Sequence, residues 1–444
     1  MDTLIQIAQI LFILSVLVVL HEFGHYIPAK IFKVRVDKFY LFMDPYFSLF
    51  KKKIKETEWG IGWLPIGGYV KLAGMIDESM DAEQMAQPAQ PWEFRSKKPW
   101  QRLIIMLGGV TVNIILAIFI YTLLFSTVGQ NYPATEKYQK NGLSFSESAL
   151  AAGFKNGDKI LSVDGKSQVK FNRMIIDVLL GDKVEVLRDG KKETFTVSDE
   201  QKSKILGSEG KNFMMARISE VYIDSVTPNS EASKAGLIKN DRIIKVNNQN
   251  IAFFDELATT LENNKSKNVT LTVLRNGQQI ELKSNISDKG KLGFLPASKD
   301  KEDFMVSNKL SFFEAIPAAV KESYTQFVYN IKQFKLILRP KTEAYKQVKS
   351  PIGITQMLPT HWDWEFVWSF TAMFSIGLAF MNLLPIPGLD GGHAIFTIAE
   401  MITGKTLSVK AAERVQTFGM IILLSLMALT FGKDIYEIIA RKFL

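Results

Sequence analysis

The sequence contains no cysteine and only four histidines among its 444 residues. The absence of cysteine excludes disulfide bonds and thiolate zinc ligands, and it leaves histidine, aspartate and glutamate to hold any metal. No segment interleaves basic and aromatic residues in the manner of a nucleic-acid-binding surface, so we expect no nucleic-acid partner. Hydrophobic residues make up 47% of the chain and the mean hydropathy is +0.06. These values suit a mixture of membrane helices and soluble domains.

Charged residues are missing from four long apolar stretches, at 4–20, 103–128, 366–389 and 415–432. A helix needs roughly 17–25 apolar residues to cross a bilayer, so the four stretches predict a polytopic α-helical protein in contact with membrane lipid. The first stretch has no basic segment before it and no small-residue cleavage site after it. It is therefore not expected to be a cleavable signal peptide.

The net charge of +9 is unevenly distributed along the chain. Between residues 29 and 102 there are 13 lysines or arginines, whereas only Asp2 is charged before the first stretch. The positive-inside rule therefore predicts an N-terminus outside and residues 29–102 in the cytoplasm. After two crossings the long middle region lies outside, and after four the C-terminus does too, although the basic tail residues Lys433, Arg441 and Lys442 favour the opposite side for the last crossing.

The first stretch ends in an H-E-x-x-H motif, His21-Glu22-Phe23-Gly24-His25. Residues four apart on a helix share one face, so the two imidazoles can hold Zn²⁺ while Glu22 accepts a proton from water. Many H-E-x-x-H sequences bind no metal, and the motif alone leaves that alternative open. Ionisable side chains within a membrane segment are energetically expensive, however, and this favours a functional site.

Zinc held by two histidines needs a further protein ligand, and the best candidate is Asp390 at the end of the third stretch. Pro385 and Pro387 are expected to interrupt that helix within the membrane, which is tolerable only where the backbone lines a wet or protein-filled cavity. Asp390 could then face the cavity, or it could cap the next helix, and the residues alone favour neither. His393 is a substitute ligand or a neighbour of the site.

The middle of the chain contains an internal repeat. Residues 152–164 (AGFKNGDKILSVD) recur 83 residues later as 235–247 (AGLIKNDRIIKVN). After each copy comes a dipeptide typical of tight β-hairpin turns, 189–190 (Asp-Gly) and 276–277 (Asn-Gly). The repeat therefore predicts two β-rich modules of similar fold.

The predicted organisation has five parts. The parts are an N-terminal membrane region at 1–128 with spans one and two, a first module at 129–217, a second module at 218–302, a connector at 303–362, and a C-terminal membrane region at 363–444 with spans three and four. Within the connector, residues 310–338 have a helical apolar period and are expected to lie on the membrane surface or against the membrane domain, with packing in a soluble core as the alternative.

Three features together resemble a known family over nearly the whole chain. The repeat pattern A-G-[LF]-x-x-[GN]-D-x-I-x-x-V-[DN] resembles PDZ domains of the bacterial protease type. With H-E-F-G-H on the first span and N-x-x-P-x-P-x-L-D-G-G on the third, the chain resembles the site-2 protease family, and most closely its bacterial members with two PDZ domains. The resemblance implies four transmembrane helices and two inserted, extracytoplasmic PDZ-like α+β domains.

The resemblance also assigns roles to motif residues. It implies that His21, His25 and Asp390 hold one Zn²⁺ per chain and that Glu22 is the catalytic base that activates water. It suggests that Asn382 binds the substrate backbone or polarises the scissile carbonyl, and packing between helices is the alternative for this residue.

The second span and the residues before it match the family pattern F-x-x-K-x(4)-R-x(6)-G-P-x-x-N at five positions: Phe94, Lys97, Arg102, Gly109 and Asn113. Val110 replaces the usual proline, which puts the local helix geometry in doubt but not the metal site. Asn113 is a weaker candidate than Asn382 for a substrate contact.

Residues 60–72 (GIGWLPIGGYVKL) resemble the membrane-re-entrant β-hairpin of the family, placed here at about 57–73. Their glycine and proline content argues against a further spanning helix. A substrate segment unwound from its helix could add as a strand to the edge of such a hairpin and recover its hydrogen bonds. The predicted substrate-binding residues are Asn382, Pro385, Gly67, Gly68, Tyr69 and Val70.

The resemblance implies an intramembrane zinc endopeptidase of the bacterial inner membrane, with periplasmic PDZ-like domains and an active site near the cytoplasmic side. Its expected substrates are single-span membrane proteins, such as a pre-trimmed anti-sigma factor or remnant signal peptides, and the modules would exclude bulky outer domains or bind peptides. The alternative is a membrane-anchored PDZ scaffold that binds exported peptides and has a vestigial metal site. A zinc transporter is disfavoured because no paired transport repeats are present. The oligomeric state is not predicted.

Overall fold

The computed structural model describes residues 2–65, 67–75, 87–208, 213–297, 304–405 and 408–443. The chain divides into two compact units. The membrane unit comprises residues 1–130, 308–335 and 348–444, and the middle unit comprises residues 131–307 and 336–347. The predicted boundary between the second module and the connector, at 302–303, lies outside the described residues.

Helices and strands are numbered along the described chain. The helices are α1 (Asp2–Ile31), α2 (Pro99–Thr127), α3 (Thr135–Tyr138), α4 (Glu147–Ala151), α5 (Phe171–Leu180), α6 (Asp199–Ser208), α7 (Glu231–Lys234), α8 (Phe254–Asn263), α9 (Phe312–Ile337), α10 (Pro351–Thr355), α11 (Trp364–Leu383), α12 (Asp390–Thr403) and α13 (Val409–Phe443). Short 3-10 helices lie at Phe94–Ser96, Pro340–Thr342 and Ala344–Gln347. The strands are β1 (Val36–Leu41), β2 (Met43–Ile54), β3 (Thr57–Leu64), β4 (Tyr69–Leu72), β5 (Gln130–Pro133), β6 (Leu143–Phe145), β7 (Lys159–Val163), β8 (Lys183–Arg188), β9 (Lys191–Thr196), β10 (Met214–Ala216), β11 (Tyr222–Val226), β12 (Arg242–Val246), β13 (Gln249–Asn250), β14 (Asn268–Arg275), β15 (Gln278–Asn285), β16 (Phe294–Ala297) and β17 (Met305–Asn308).

Among the described residues, four helices of the membrane unit are long and apolar enough to cross a bilayer: α1, α2, α11 and residues 414–437 of α13. The prediction of four spans is therefore confirmed. Helix α11 ends at Leu383, although the uncharged stretch continues to 389. Proline has no N–H donor and clashes with the preceding helical turn, so Pro385 and Pro387 interrupt the helix here as predicted.

Helices α1 and α2 touch through their backbones. A Cβ atom added to Gly24 would overlap the backbone at Gly108, and one added to Gly108 would overlap the Gly24 carbonyl. Small residues allow membrane helices to approach this closely. The contact places α2 directly against the face of α1 that carries the H-E-x-x-H motif.

Strands β1 to β4 form one sheet in the order β2-β3-β1-β4. Strand β1 pairs in parallel with β3 and antiparallel with β4, and β2 pairs antiparallel with β3. The predicted hairpin at about 57–73 is therefore wrong in its pairing, because β3 and β4 lie on opposite sides of β1. The two strands are close in sequence, but which strands become neighbours is decided by tertiary structure. Residue 66, in the segment that joins them, lies outside the described residues.

The first part of α9 belongs to the membrane unit and packs against its helices. Ala315 and Ala319 are fully buried in a cluster with residues of α2 and α11. The expectation that this segment packs against the membrane domain agrees with these contacts. Pro317 lies inside α9 and does not start it.

The middle unit contains both copies of the sequence repeat, and each copy is followed by a β-hairpin. Strands β8 and β9 join through Asp189 and Gly190, which have φ angles of 49° and 77°. Strands β14 and β15 join through Asn276 and Gly277, with φ angles of 50° and 83°. Positive φ at both turn residues matches the right-handed twist of the paired strands, which explains why these dipeptides predicted the turns.

Each repeat also contains its own Asp-Arg ion pair with a buried aspartate. Asp158 in the first copy is 1% exposed and accepts hydrogen bonds from Arg188 at 2.7 and 2.8 Å. Asp241 in the second copy is 0% exposed and accepts hydrogen bonds from Arg275 at 2.7 and 2.8 Å. Each arginine lies at the end of the first hairpin strand, so the repeated sequence builds the same local structure twice.

Candidate metal centre

The H-E-x-x-H motif lies on α1 with its side chains turned into the membrane unit. His21, Glu22 and His25 are 8%, 8% and 6% exposed. The imidazole centroids of His21 and His25 are 4.9 Å apart, as expected for side chains one helical turn apart. The helix therefore presents two ring nitrogens and a carboxylate in one buried location.

The Asp390 side chain lies at the same location, although it comes from the C-terminal part of the membrane unit. It is the first residue of α12, directly after the proline-containing loop that follows α11. A Cβ atom on Gly392 would lie 2.6 Å from the Ile386 carbonyl oxygen, so a side chain at this position would block the tight path of the loop. The interrupted helix turns the Asp390 carboxylate toward α1.

Three ligand atoms converge at this point. His21 Nε2 and His25 Nε2 are 3.4 Å apart, and Asp390 Oδ2 lies 3.3 Å from the first and 3.2 Å from the second. Ligands bound at about 2.0–2.1 Å to a tetrahedral zinc ion lie about 3.3 Å from one another. The two imidazoles and the carboxylate have this spacing, and they are ligand types that zinc prefers, so the residues fit the ion.

Hydrogen bonding in the site also favours a cation. His25 Nδ1 lies 2.9 Å from the Ile105 carbonyl oxygen of α2 and must donate to it, because a carbonyl can only accept. In the neutral ring, Nε2 then carries a lone pair toward Asp390. The buried Asp390 Oδ2 atom has no hydrogen-bond partner among the residues that the structure describes. Lone pairs that face one another in this way repel, and a positive ion between them would remove the repulsion.

Two asparagine side chains flank His21. Asn382 Nδ2 lies 3.2 Å from His21 Nε2, and Asn113 Nδ2 lies 3.1 Å from His21 Nδ1. Asn382 is 7% exposed and Asn113 is 0% exposed. The predicted substrate residue Asn382 therefore lies beside the ligand atoms, at the end of α11.

Strand β4 lies next to Glu22. The Val70 backbone N–H donates a hydrogen bond to the Glu22 carboxylate. A Cβ atom on Gly68 would lie 2.5 Å from Val18 Cγ1 and 3.5 Å from Glu22 Cγ, so the absence of a side chain allows this close approach. Of the predicted substrate-binding residues, Gly68 and Val70 thus adjoin the H-E-x-x-H helix.

The remaining candidates lie differently. The hydroxyl of Tyr69 donates to Asp44 at 2.9 Å and its ring stacks on Tyr40. Gly67 has open space where a side chain would be, and Pro385 lies in the loop between α11 and α12. His393 is not part of the His-His-Asp group that the described residues form.

Sequence reasoning did not foresee how closely Gly109 approaches the site. A Cβ atom at this position would lie 2.5 Å from His21 Cε1 and 2.5 Å from His25 Nε2. The family pattern contains Gly109, and Gly24 lies inside the H-E-x-x-H motif, so the sequence identified both glycines. It did not predict that they contact one another, because this contact depends on how α1 and α2 pack.

An ion pair between α2 and α12 was also missed. Arg102 donates to Glu400 at 2.5 Å, and the two side chains are 14% and 15% exposed. Glu400 lies near the end of the helix that begins with Asp390. The pair therefore fixes α12 against α2 at the end opposite the candidate ligand.

In the described part of the chain, four helices are long and apolar enough to span a membrane, and a His-His-Asp group lies beside a glutamate of the first one. These features are the architecture of a membrane-embedded metalloprotease. The chain belongs to peptidase family M50, whose family model matches residues 9–426. It is similar to regulator of sigma-E protease RseP of Escherichia coli and of Salmonella typhimurium, at 28% identity over 97% of this chain and 98% of each relative. It is equally similar, at 28% identity over the same shares, to a Neisseria meningitidis protein provisionally named a zinc metalloprotease.

Proposed function

We propose that this protein is an intramembrane zinc endopeptidase that hydrolyses peptide bonds in or near the transmembrane segments of single-span membrane proteins. The observation that carries the proposal is the convergence of His21 Nε2, His25 Nε2 and Asp390 Oδ2 at 3.2–3.4 Å, next to Glu22, within spanning helices. These three atoms would hold one zinc ion per chain. Three protein ligands are the number that catalytic zinc sites use, which would leave room for water or substrate.

Each side chain has a distinct task in the proposed reaction. When bound, zinc supplies Lewis-acid polarisation and lowers the pKa of a coordinated water to about 7. Glu22 accepts the proton of the attacking water and delivers it to the leaving amine. The Val70 N–H holds the Glu22 carboxylate in place. Asn382, 3.2 Å from His21 Nε2, is close enough to donate a hydrogen bond to the carbonyl under attack.

Strand β4 is the proposed substrate platform, in a sheet that re-enters the membrane. A scissile bond within a helix is shielded by the helix, so the substrate must unwind, and in lipid its freed backbone groups need new partners. Strand addition supplies them. Strand β4 ends the described sheet and adjoins Glu22. The backbone groups of Gly68, just before the strand, and the carbonyl of Val70 would pair with the substrate, while the Val70 N–H stays with Glu22. Gly67, Tyr69 and Pro385 would line the approach.

The natural substrates would be pre-trimmed anti-sigma factors or remnant signal peptides in the bacterial inner membrane. The similarity to proteins named regulator of sigma-E protease supports the first class. The basic segment 29–102 supports an orientation with the active site near the cytoplasmic side. The middle unit would then lie in the periplasm.

The repeats at 129–217 and 218–302 are proposed to be PDZ-like domains. Their shared hairpins and matching Asp-Arg pairs support two copies of one fold. They would act as a size filter that admits only substrates whose outer domain has already been removed, or they would bind peptide by strand addition.

The experiment that tests the catalytic proposal uses Glu22→Gln and Asp390→Ala in the full-length protein, with Glu365→Gln on exposed α11 surface as the matched control. Glu22→Gln should retain zinc but lower cleavage of a co-expressed single-span substrate by at least about 10²-fold, because a general base contributes 10²–10⁴-fold. Asp390→Ala should contain clearly less zinc. Glu365→Gln should match the unmodified protein in both measurements.

Unchanged cleavage by Glu22→Gln would contradict the assignment of the base. Full zinc occupancy in Asp390→Ala would transfer the ligand role to another residue, His393 first. A membrane-anchored peptide-binding scaffold predicts that neither substitution affects function, so the same two proteins distinguish it from the protease.

A further inference from the structure

The Asn113 side chain is completely buried on α2 and contacts one of the candidate zinc ligands. Its amide lies 3.1 Å from His21 Nδ1, and it is 0% exposed. Within the described residues, its Oδ1 atom has no hydrogen-bond partner. Asn113 does not reach the open side of the site, because it contacts the ring nitrogen that faces away from Asp390. A contact of this kind fixes the orientation and the protonated nitrogen of the His21 ring and does not involve the substrate.

The direction of this hydrogen bond decides whether His21 can bind a metal. A neutral imidazole has one N–H and one lone pair. If the amide N–H donates to Nδ1, the proton of the ring lies on Nε2, and no lone pair points at the site. If the amide oxygen accepts from Nδ1–H, the lone pair lies on Nε2, beside His25 Nε2 and Asp390 Oδ2. The oxygen and nitrogen of an amide occupy nearly equivalent positions, so the contact geometry accommodates both directions.

The second histidine shows which direction belongs to the site. His25 Nδ1 donates to the Ile105 carbonyl, which can only accept, and this leaves the Nε2 lone pair of His25 free for a metal. We propose that Asn113 Oδ1 does the same for His21: it accepts from Nδ1–H and holds the Nε2 lone pair toward the zinc position. Asn113 is thus a positioning residue for a ligand, and this assignment rests on the proposed zinc site.

The geometry of α2 suits both contacts. Ile105 and Asn113 are eight residues apart and so lie on the same face of the helix. The Ile105 carbonyl points toward the C-terminal end of α2, whereas the Asn113 side chain leans toward the N-terminal end. The two acceptors therefore approach the one-turn spacing of the two rings. A neutral amide is also less expensive than a carboxylate in a membrane segment.

The test is the zinc affinity of the full-length protein, measured by competition with a chelator. Asn113→Leu removes the acceptor and should raise the zinc dissociation constant about 10–100-fold, the usual effect of losing a hydrogen bond to a metal-bound histidine. Asn113→Asp keeps an acceptor oxygen and should bind zinc at least as tightly as the unmodified protein. Thr122→Val is the matched control, because Thr122 is 4% exposed on the same helix and its hydroxyl donates to the Ile118 carbonyl of that helix.

Unchanged zinc affinity in Asn113→Leu would overturn the proposal. Equal losses in the leucine and aspartate variants would overturn it too, because the amide N–H and not an acceptor oxygen would then matter. If the leucine variant fails to fold, the aspartate variant decides alone, since weakened zinc binding there contradicts an acceptor role. Absence of zinc binding in both the unmodified protein and Thr122→Val would contradict the proposed function itself, which is a separate result.

Discussion

A single methyl group at position 109 should disable the metal site. The Cβ atom of Gly109→Ala would lie 2.5 Å from His21 Cε1 and 2.5 Å from His25 Nε2. Carbon atoms and ring atoms in contact stay about 3.5 Å apart. One or both imidazoles must therefore move by about 1 Å, or α1 and α2 must separate by a similar distance.

A displacement of this size exceeds what zinc coordination tolerates. Metal–ligand distances in proteins hold to within about 0.2 Å, so a shift of about 1 Å removes a ligand. Loss of a hydrogen bond to a ligand already weakens metal binding about 10–100-fold, and loss of the ligand itself should exceed that range. Overpacking between the helices should also lower the free energy of unfolding by about 1–3 kcal/mol.

Equilibrium dialysis against a zinc chelator, with thermal unfolding of the zinc-free protein, separates the two effects. Gly377→Ala is the matched control, because this glycine lies in spanning helix α11 and an added Cβ would come within 4 Å of no described residue beyond its own helical turn. It should bind zinc as the unmodified protein does. Zinc binding by Gly109→Ala at unmodified affinity would refute the geometry on which the site is built.

Two further predictions concern the elements around the site. Arg102→Glu and Glu400→Arg should each lower the free energy of unfolding by about 3–5 kcal/mol and weaken zinc binding, because each leaves two like charges side by side in a largely buried position. The double variant should recover most of both losses. A double variant as unstable as the single ones would show that the two side chains do not act as a pair. Deletion of residues 131–307 should allow cleavage of a single-span substrate that still carries a folded outer domain. The assay is co-expression, in which the full-length protein should cleave only the trimmed form of the substrate. Equal discrimination between the trimmed and untrimmed substrates by the two proteins would contradict the size filter.

The parts of the fold that could be predicted are those fixed by local sequence. Uncharged stretches predicted the four spans, because the cost of burying charge in lipid depends on composition alone. Asp-Gly and Asn-Gly predicted two hairpins, because these residues adopt the required positive φ angles. The spacing of His21 and His25 predicted a shared helix face. None of these inferences needed knowledge of which elements become neighbours.

Three features of the structure depend on long-range packing and could not be predicted from the sequence. Strands β3 and β4 were predicted to pair, yet β1 lies between them, because a sheet edge is chosen by the whole unit and not by proximity in sequence. The close contact of α1 and α2 was equally hidden, since Gly24 and Gly109 are ordinary residues until two helices meet. The residues alone did not decide whether Asp390 is a metal ligand or a helix cap, because this too depends on which elements become neighbours. Only the fold brings it to the two histidines.

Helix α12 is held at both of its ends by charge. Asp390 at its start faces the two histidine nitrogens at 3.2–3.3 Å, and Glu400 near its end pairs with Arg102 of α2. Ten residues of helix separate the two carboxylates, about 15 Å along the axis. Since no described residue other than the two histidines faces this Asp390 oxygen, its contact with α1 would be favourable with a cation between them. Binding of the proposed zinc ion would therefore stabilise the docking of α12 against α1, while the Arg102–Glu400 pair holds the other end of the helix against α2.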